Sequence, residues 1–507
     1  MSKRPPSPTP RVTLLSKRRH VQAPSNSREG PITFDSSLYD ELILLIFSHL
    51  SYRDLCAVQA INQNWARLSL DNQLWRNLYL QEFGKTRLRG SRGFPLAASR
   101  LDGLEVKPLP DRARSQPAPS PELVKDWKWM FRISRNWETG RSSSEEEVTW
   151  PDSEDPRLPV NVVSAGGLIM TASSSPSSSP QILLHSSGKV VHSFSSASIP
   201  ANVNHKVTAM ALDQSQPIGS NYRLAVFYSI GTFCLFLVSP SNPKASMEIL
   251  SYTPTTPRQR ANTIIHAVYH HPLLITLSSS FTLSLYQLSS FEPGTIPDVR
   301  LAQTLTSFSS HPPMSLILAR PSAETYKLVL AYTVPVYPQH WTVSVTELVI
   351  SSFTVQSSHS SAAFDLSPGW TALPTEDLME TMNEHQSLKL PSASAISTDG
   401  RYVAISSAAS SSIQLYRLSS RPSGSKLSFV RILDGHTGPV QALYMADGRC
   451  ISLSQDGSLW VWDLDRGGVE VKTEGLQDLP HTTKVLFDER RIVIVLNGRI
   501  VVKRFDV

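Results

Sequence analysis

The chain is 507 residues long, 40% hydrophobic and 8% aromatic, with three cysteines and a formal net charge of +6. That length holds two or more domains or one domain with a large repeat array, and the composition is that of an ordinary soluble globular chain. Residues 1–30 carry Lys3, Arg4, Arg11, Lys17, Arg18, Arg19 and Arg28 against Glu29 alone, so the other 477 residues are neutral, which argues against a generic or specific nucleic-acid surface on the folded part.

Residues 1–34 join these charges to Pro5, Pro6, Pro8, Pro10 and Pro24 with few large apolar side chains, and read as a disordered basic tail. Lys3-Arg4 and Lys17-Arg18-Arg19 are spaced like a bipartite nuclear-import signal, which makes an importin an expected partner and places the protein in the nucleus, the cytoplasm or both. Ser7-Pro8 and Thr9-Pro10 resemble proline-directed kinase sites that would put negative charge beside those clusters. The tail has no long apolar run with a small-residue cleavage site, so secretion is not expected.

Residues 35–84 read as a helical module. Leu38, Leu42, Leu45, Ile46 and Leu50 recur at three- and four-residue steps, with Asp40, Glu41 and His49 on the opposite edge. Ser37 with Asp40 has capping-box spacing, and Ser51 interrupts the run. A second run passes through Leu55, Val58, Ile61, Trp65 and Leu68, and a third through Leu74, Trp75, Leu78 and Phe83. So small a module cannot hide all of this apolar surface, and the surplus implies a partner.

The order Leu38, Glu41-Leu42, Ile46-Phe47, Leu50, Asp54-Leu55, Trp65, Leu68, Leu74-Trp75-Arg76 resembles the F-box family. The resemblance implies docking onto a Skp-type adaptor and through it a cullin, with Leu38, Leu42, Ile46, Leu50, Leu55 and Trp65 as the adaptor-binding residues. Two places depart from the family pattern. Tyr39 stands where Pro is usual, and Asn62, Gln63 and Asn64 stand where a Cys with basic neighbours precedes the Trp.

Residues 85–157 form a linker. Its first part, to about residue 120, is rich in Arg, Gly, Ser and Pro. A helix is predicted over about 121–137, opened by Pro121, with Leu123, Trp127, Met130 or Phe131 and Ser134 on one side and a stop near Asn136 to Gly140. Trp127-Lys128, Asn136-Trp137 and Gly140-Arg141 are similar to the linker that precedes the propeller in F-box proteins with WD repeats. The acidic runs at 142–147 and 152–156 have the character of acidophilic kinase substrates.

From 158 to 507 the chain breaks into short β-like runs punctuated by Gly, Pro, Ser and Asn. Residues 434–464 resemble one WD repeat, with Gly435-His436 at the start, Trp462-Asp463 at the end and three β-runs between. The resemblance implies a structural tetrad of His436, Ser454, Asp456 and Trp462, in which Asp456 holds the His436 imidazole and Ser454 bridges to the Trp462 indole; these residues are read as structural and not catalytic. Strand spacing gives units at 158–195, 206–252, 262–310, 313–363, 390–433, 434–474 and 481–507, hence seven blades, although counts of six or eight also fit around the insert at 364–390. The last unit has three strands, so an upstream segment near Glu147 to Trp150 is expected to supply the fourth.

Nothing in the sequence has the form of an active site. There is no phosphate-binding Gly loop, no G-x-S-x-G elbow and no H-E-x-x-H. Cys56, Cys234 and Cys450 have no C-x-x-C spacing, which reads as a reduced, intracellular, zinc-free chain without a cofactor. His270 and His271 point to opposite faces of a strand and could not readily share an ion. The apolar run at 224–238 is too short to span a membrane. The fold class is therefore a small helical module, a linker helix and a β-propeller. The function expected is that of a non-catalytic substrate receptor in a Skp–cullin–F-box ubiquitin ligase, or alternatively a propeller scaffold in a nuclear complex. Related receptors read phosphorylated peptides with arginines, which singles out Arg258 and Arg260 among the loops 196–206, 252–262, 332–341 and 473–481.

Overall fold

A computed structural model describes residues 38–84, 126–149 and 160–506, less the insert 364–392 and short stretches of loop, the longest being 216–220, 255–261 and 290–297. The basic tail, Ser37, Pro121 and Leu123 lie outside the described residues. The chain divides into two compact units, Met1–Leu74 and Trp75–Val507.

The first unit holds α1 (Asp40–Phe47), α2 (Tyr52–Val58), α3 (Gln63–Ser69) and the start of α4 (Asn72–Tyr79). The N-cap of α1 is Tyr39, whose extended backbone carries no side-chain cap, so the expected Ser37 cap gives way to a helix that begins two residues later. Asp40 and Glu41 in the first turn offset the exposed N–H groups there, and Asp40 also meets Arg67 of α3 at 2.6 Å. Ser51 starts α2 by accepting from Asp54 N, and Asn62 starts α3 by accepting from Trp65 N at 2.8 Å. Asn62, a departure from the family pattern, is thus a helix cap. Ile43, Phe47, Leu55 and Leu68 form the buried centre, and Phe47 meets Trp65 edge to face at 5.5 Å.

In the second unit α5 (Trp127–Thr139) is buried nearly all round, through Trp127, Trp129, Met130, Phe131, Ile133, Ser134 and Trp137. Asp126 caps it by accepting from Trp129 N at 3.0 Å, so the helix begins at Trp127 and not at the predicted Pro121. It ends at Gly140 in a left-handed conformation, φ 65°, where a Cβ would come within 2.5 Å of Glu470 O. Trp75 and Tyr79 of α4, with Phe83, pack on Phe131 and Trp127.

The rest is a ring of seven four-stranded antiparallel sheets. Six are built from consecutive chain, blades 1 to 6, at 160–194, 207–252, 264–306, 311–362, 393–433 and 440–471. Blade 7 joins Lys484–Phe487, Arg491–Leu496 and Arg499–Arg504 to Ser144–Thr149 as its outermost strand, which begins three residues before the segment near Glu147 to Trp150 expected there and overlaps it over 147–149. The first strands of successive blades touch one another and therefore surround the axis. Each apolar core lies between two blades, for example Leu224, Val226 and Phe236 of blade 2 against Leu168, Met170 and Leu184 of blade 1. Aspartates in the turn after the first strand bind neighbouring blades: Asp213 accepts from His271 N at 3.0 Å and Asp399 from Gly448 N at 3.1 Å.

Candidate functional site

The apolar residues of α1 fall into two sets. Ile43 and Phe47 face the core, while Tyr39, Leu42, Leu45 and Ile46 stand on the other flank, with Leu42 45% and Ile46 43% exposed. The six residues from Leu42 to Phe47 are all apolar, so the helix has more hydrophobic circumference than the module can cover. Ile61 and Leu70 add exposed apolar surface elsewhere on the unit.

Of the six expected adaptor-binding residues, Leu42 and Ile46 are exposed, and Leu38, Leu50 and Trp65 are half-buried. Leu55 has 0% exposure and belongs to the module's own core, which removes it from a docking face. The Leu38–Leu50 stripe is therefore not the buried face of α1, because Ile43 and Phe47, one position along, fill that role.

The tetrad of blade 6 exists with different members. His436 Nε2 lies 2.6 Å from Ser452 Oγ, and Trp462 Nε1 donates to the same hydroxyl at 2.8 Å. The bridging serine is Ser452 and not Ser454. Cys450, Ser452 and Ser454 share one strand face with Trp460 and Trp462, and Ser452 stands opposite Trp460, diagonal to the Trp462 indole, whereas Ser454 lies past the last pair of that ladder. Asp456 is likewise one step removed. His436 Nδ1 meets Ser458 Oγ at 2.7 Å, while Asp456 accepts from Ser458 N at 2.9 Å and from the Thr437 hydroxyl. Burial holds the His436 imidazole down at about 4, against a smaller upward pull from Asp456, so the ring is neutral near pH 7. Burial alone would raise Asp456, but the hydrogen bonds from Thr437 and Ser458 outweigh it and hold the carboxylate well below its usual range. Gly435 lies against the Trp460 ring and Gly457 against Leu476 O, so this blade is packed tight around its polar chain. A second buried pair, Thr171 Oγ1 to His185 Nε2 at 2.7 Å, occupies blade 1.

The two ends of the ring differ. Helix α5 covers the end that carries the turn after each first strand: Trp129 Nε1 donates to Asp506 O at 3.1 Å, Asn136 Nδ2 to Phe505 O at 2.9 Å and Trp137 Nε1 to Glu489 O at 3.0 Å. Trp137 also stacks on Phe505 at 4.1 Å and lies under Arg449. The other end, where the first strands begin, is the one the expected target-binding loops approach. Arg258 and Arg260 lie outside the described residues. At that end the first strand of blade 7 begins with Lys484, Nζ 3.4 Å from Asn161 Oδ1 of blade 1. Sequence reasoning passed over Lys484; its only signal is a lysine opening an otherwise apolar strand, Lys484–Phe487.

Comparison with known proteins follows this division. Residues 37–81 match the F-box-like family, and residues 145–494, more than two thirds of the chain, match the family described as F-box protein pof12 beta-propeller. The F-box/LRR-repeat protein 5 of Xenopus laevis is 46% identical over 44 residues, which span 9% of this chain and 6% of that protein. Among solved structures, the Saccharomyces cerevisiae Sqt1 crystal structure is similar at 10% identity with a TM-score of 0.42, over 70% of this chain and 97% of that one.

Proposed function

Because the chain belongs to the F-box protein pof12 beta-propeller family and carries an F-box-like region ahead of the ring, we propose that it is a substrate receptor of a cullin-based ubiquitin ligase. F-box regions generally bind Skp1-type adaptors in cullin complexes, and F-box and propeller domains are typical of non-catalytic receptor subunits. The observation that carries the reading is the exposed flank of α1, where Tyr39, Leu42, Leu45 and Ile46 remain open although Ile43 and Phe47 already fill the module's core. Burying such a flank against a partner gains roughly 25 cal/mol per Å² of apolar surface removed from water. In this reading the adaptor covers that flank, and the propeller binds a protein target with the ring end opposite α5. The chain adds no chemistry of its own; it raises the local concentration of target near the conjugating enzyme.

The test is capture of adaptor and cullin from cells by tagged wild-type chain and by the Leu42→Glu/Ile46→Glu variant. Capture falls at least tenfold in the variant while the thermal transition of the propeller stays in place. Equal capture by the two would overturn the docking face. Absence of adaptor and cullin from the wild-type complex would leave the propeller as a scaffold in another assembly. The basic clusters of the tail are proposed to direct nuclear import, so a reporter fused to residues 1–34 should enter the nucleus and lose that distribution when Lys17, Arg18 and Arg19 become alanine.

A further inference from the structure

The ring is closed at one seam, where the six-residue strand Ser144–Thr149 pairs with Arg499–Arg504. Ion pairs run along it: Glu145 meets Lys503, Glu146 meets Arg504 at 3.2 Å and Glu147 meets Arg499 at 3.3 Å. Val148 anchors the strand, buried beside Val160, Ile169 and Val502. Between the end of α5 at Gly140 and the start of the strand lie Arg141, Ser142 and Ser143. Ser143 is exposed, while Ser142 and Ser144 are half-buried. The exposed serine is tied to the partner strand twice. Its N–H donates to Arg504 O at 2.7 Å, and its hydroxyl donates to the same oxygen at 3.0 Å.

Three serines followed by three glutamates give each hydroxyl an acid three residues on. An acidophilic kinase selects such acceptors by gripping the downstream carboxylates with its own basic side chains. In the closed ring those carboxylates are already held by Lys503, Arg504 and Arg499, so the kinase and blade 7 compete for the same groups. The two arrangements exclude each other. The acceptor comes within reach only when the first residues of the strand leave the ladder, a local opening that needs no unfolding of the blades. Ser143 gains the most charge for the least release. Opening 143–146 frees Glu145 and Glu146, its second and third neighbours, and leaves Val148 in its cluster. Ser142 has Glu145 alone within three residues, and Ser144 needs Glu147, which adjoins the anchoring Val148.

We propose that Ser143 is a phosphorylation site for an acidophilic protein kinase and that the closed seam guards it. When the strand frays, Ser143 Oγ attacks the γ-phosphorus of ATP. The new Oγ–P bond replaces the bond from that phosphorus to the β–γ bridging oxygen, ADP leaves, and the hydroxyl proton passes to the catalytic base of the kinase. The product does not re-form the old contact. A donor that faced Arg504 O becomes a dianion with no hydrogen to give, two residues from Glu145, so the start of the ladder is disfavoured and the frayed state gains population. The phosphate records that the seam opened and keeps that end of it loose. The proposal stands apart from adaptor docking and does not rest on the receptor reading.

The experiment treats the full chain with a purified acidophilic kinase, ATP and magnesium, and maps the phosphate by mass spectrometry; a peptide of residues 139–150 serves as the unguarded reference. The peptide is modified at Ser143, and the full chain takes the phosphate at the same site but at least about tenfold more slowly, because the rate follows the open population of the seam. Arg499→Ala/Arg504→Ala weakens the seam without touching the acceptor segment and brings the rate back toward that of the peptide. Ser143→Ala loses most of the incorporation, whereas Ser142→Ala/Ser144→Ala keeps it. The fully phosphorylated chain shows lower hydrogen-exchange protection over 144–147. A full chain modified as fast as the peptide would overturn the guard, and a peptide left unmodified, or modified at Ser142 or Ser144 instead, would overturn the site. Should the double arginine variant not fold, a temperature series on wild type decides the same point: its rate, normalised to the peptide, rises with amide exchange of Glu145 to Glu147 if the seam guards Ser143, and stays flat if it does not.

Discussion

At the scale of single residues, blade 6 turns on one hydroxyl. Ser452 Oγ serves both the His436 ring and the Trp462 indole, so Ser452→Ala leaves two buried polar groups without their partner and costs about 3 kcal/mol. Ser454→Ala removes a hydroxyl that contributes to neither bond and costs under about 1 kcal/mol. Chemical denaturation of the two variants checks this, and a larger loss in Ser454→Ala would reverse the assignment. The histidine and the tryptophan were legible in the sequence because Gly435-His436 and Trp462-Asp463 bracket the unit. The serine was not, because Ser452 and Ser454 lie on the same face of one strand, and alternation cannot say which of two equivalent positions is diagonal to the indole. Lys484 was hidden for a similar reason. A lysine at the start of a four-residue strand reads as a solvated end until the neighbouring blade brings Asn161 to it.

At the scale of elements, α1 shows how an apolar run can be read correctly as a helix without its core-facing side being picked out. Six consecutive apolar residues give no contrast around the circumference, so three- and four-residue spacing fits the Leu42/Ile46 flank as well as the Ile43/Phe47 flank. Only the positions of α2 and α3 decide between them. The consequence is measurable by hydrogen exchange over residues 40–69 of the full chain. Ile43→Ala empties a core site and destabilises the module by about 3 kcal/mol, while Leu42→Ala changes protection by less than about 0.5 kcal/mol. An equal effect of the two would show that the flanks are not distinct. Helix α5 is the opposite case. Its C-terminal stop at Gly140 was legible because a helix that turns into a left-handed residue calls for glycine, but its N-terminus was misplaced by a proline that looked better suited than Asp126.

At the scale of the whole ring, closure depends on charge as well as backbone pairing. Glu145, Glu146 and Glu147 form ion pairs across the seam with Lys503, Arg504 and Arg499, and the last two pairs are at 3.2 and 3.3 Å. Reversing all three acids to lysine sets like charges along the whole seam and should lower the transition temperature by a few degrees, by an amount that shrinks as salt is added. An unchanged, salt-independent transition would mean that the backbone ladder closes the ring unaided. The seven blades were countable from strand spacing, and the missing strand was inferable because a three-stranded last unit leaves an open edge; the latching aspartates Asp213 and Asp399 were not inferable, since their partners sit in the next blade. The seam also sets an order in time. Ser144–Thr149 leaves the ribosome before any blade exists, and its partner Arg499–Arg504 follows some 350 residues later, roughly twenty seconds to a minute at common synthesis rates. For that interval the strand has no mate in its own chain, and the outermost edge stays available to whatever chaperone or neighbouring chain reaches it first.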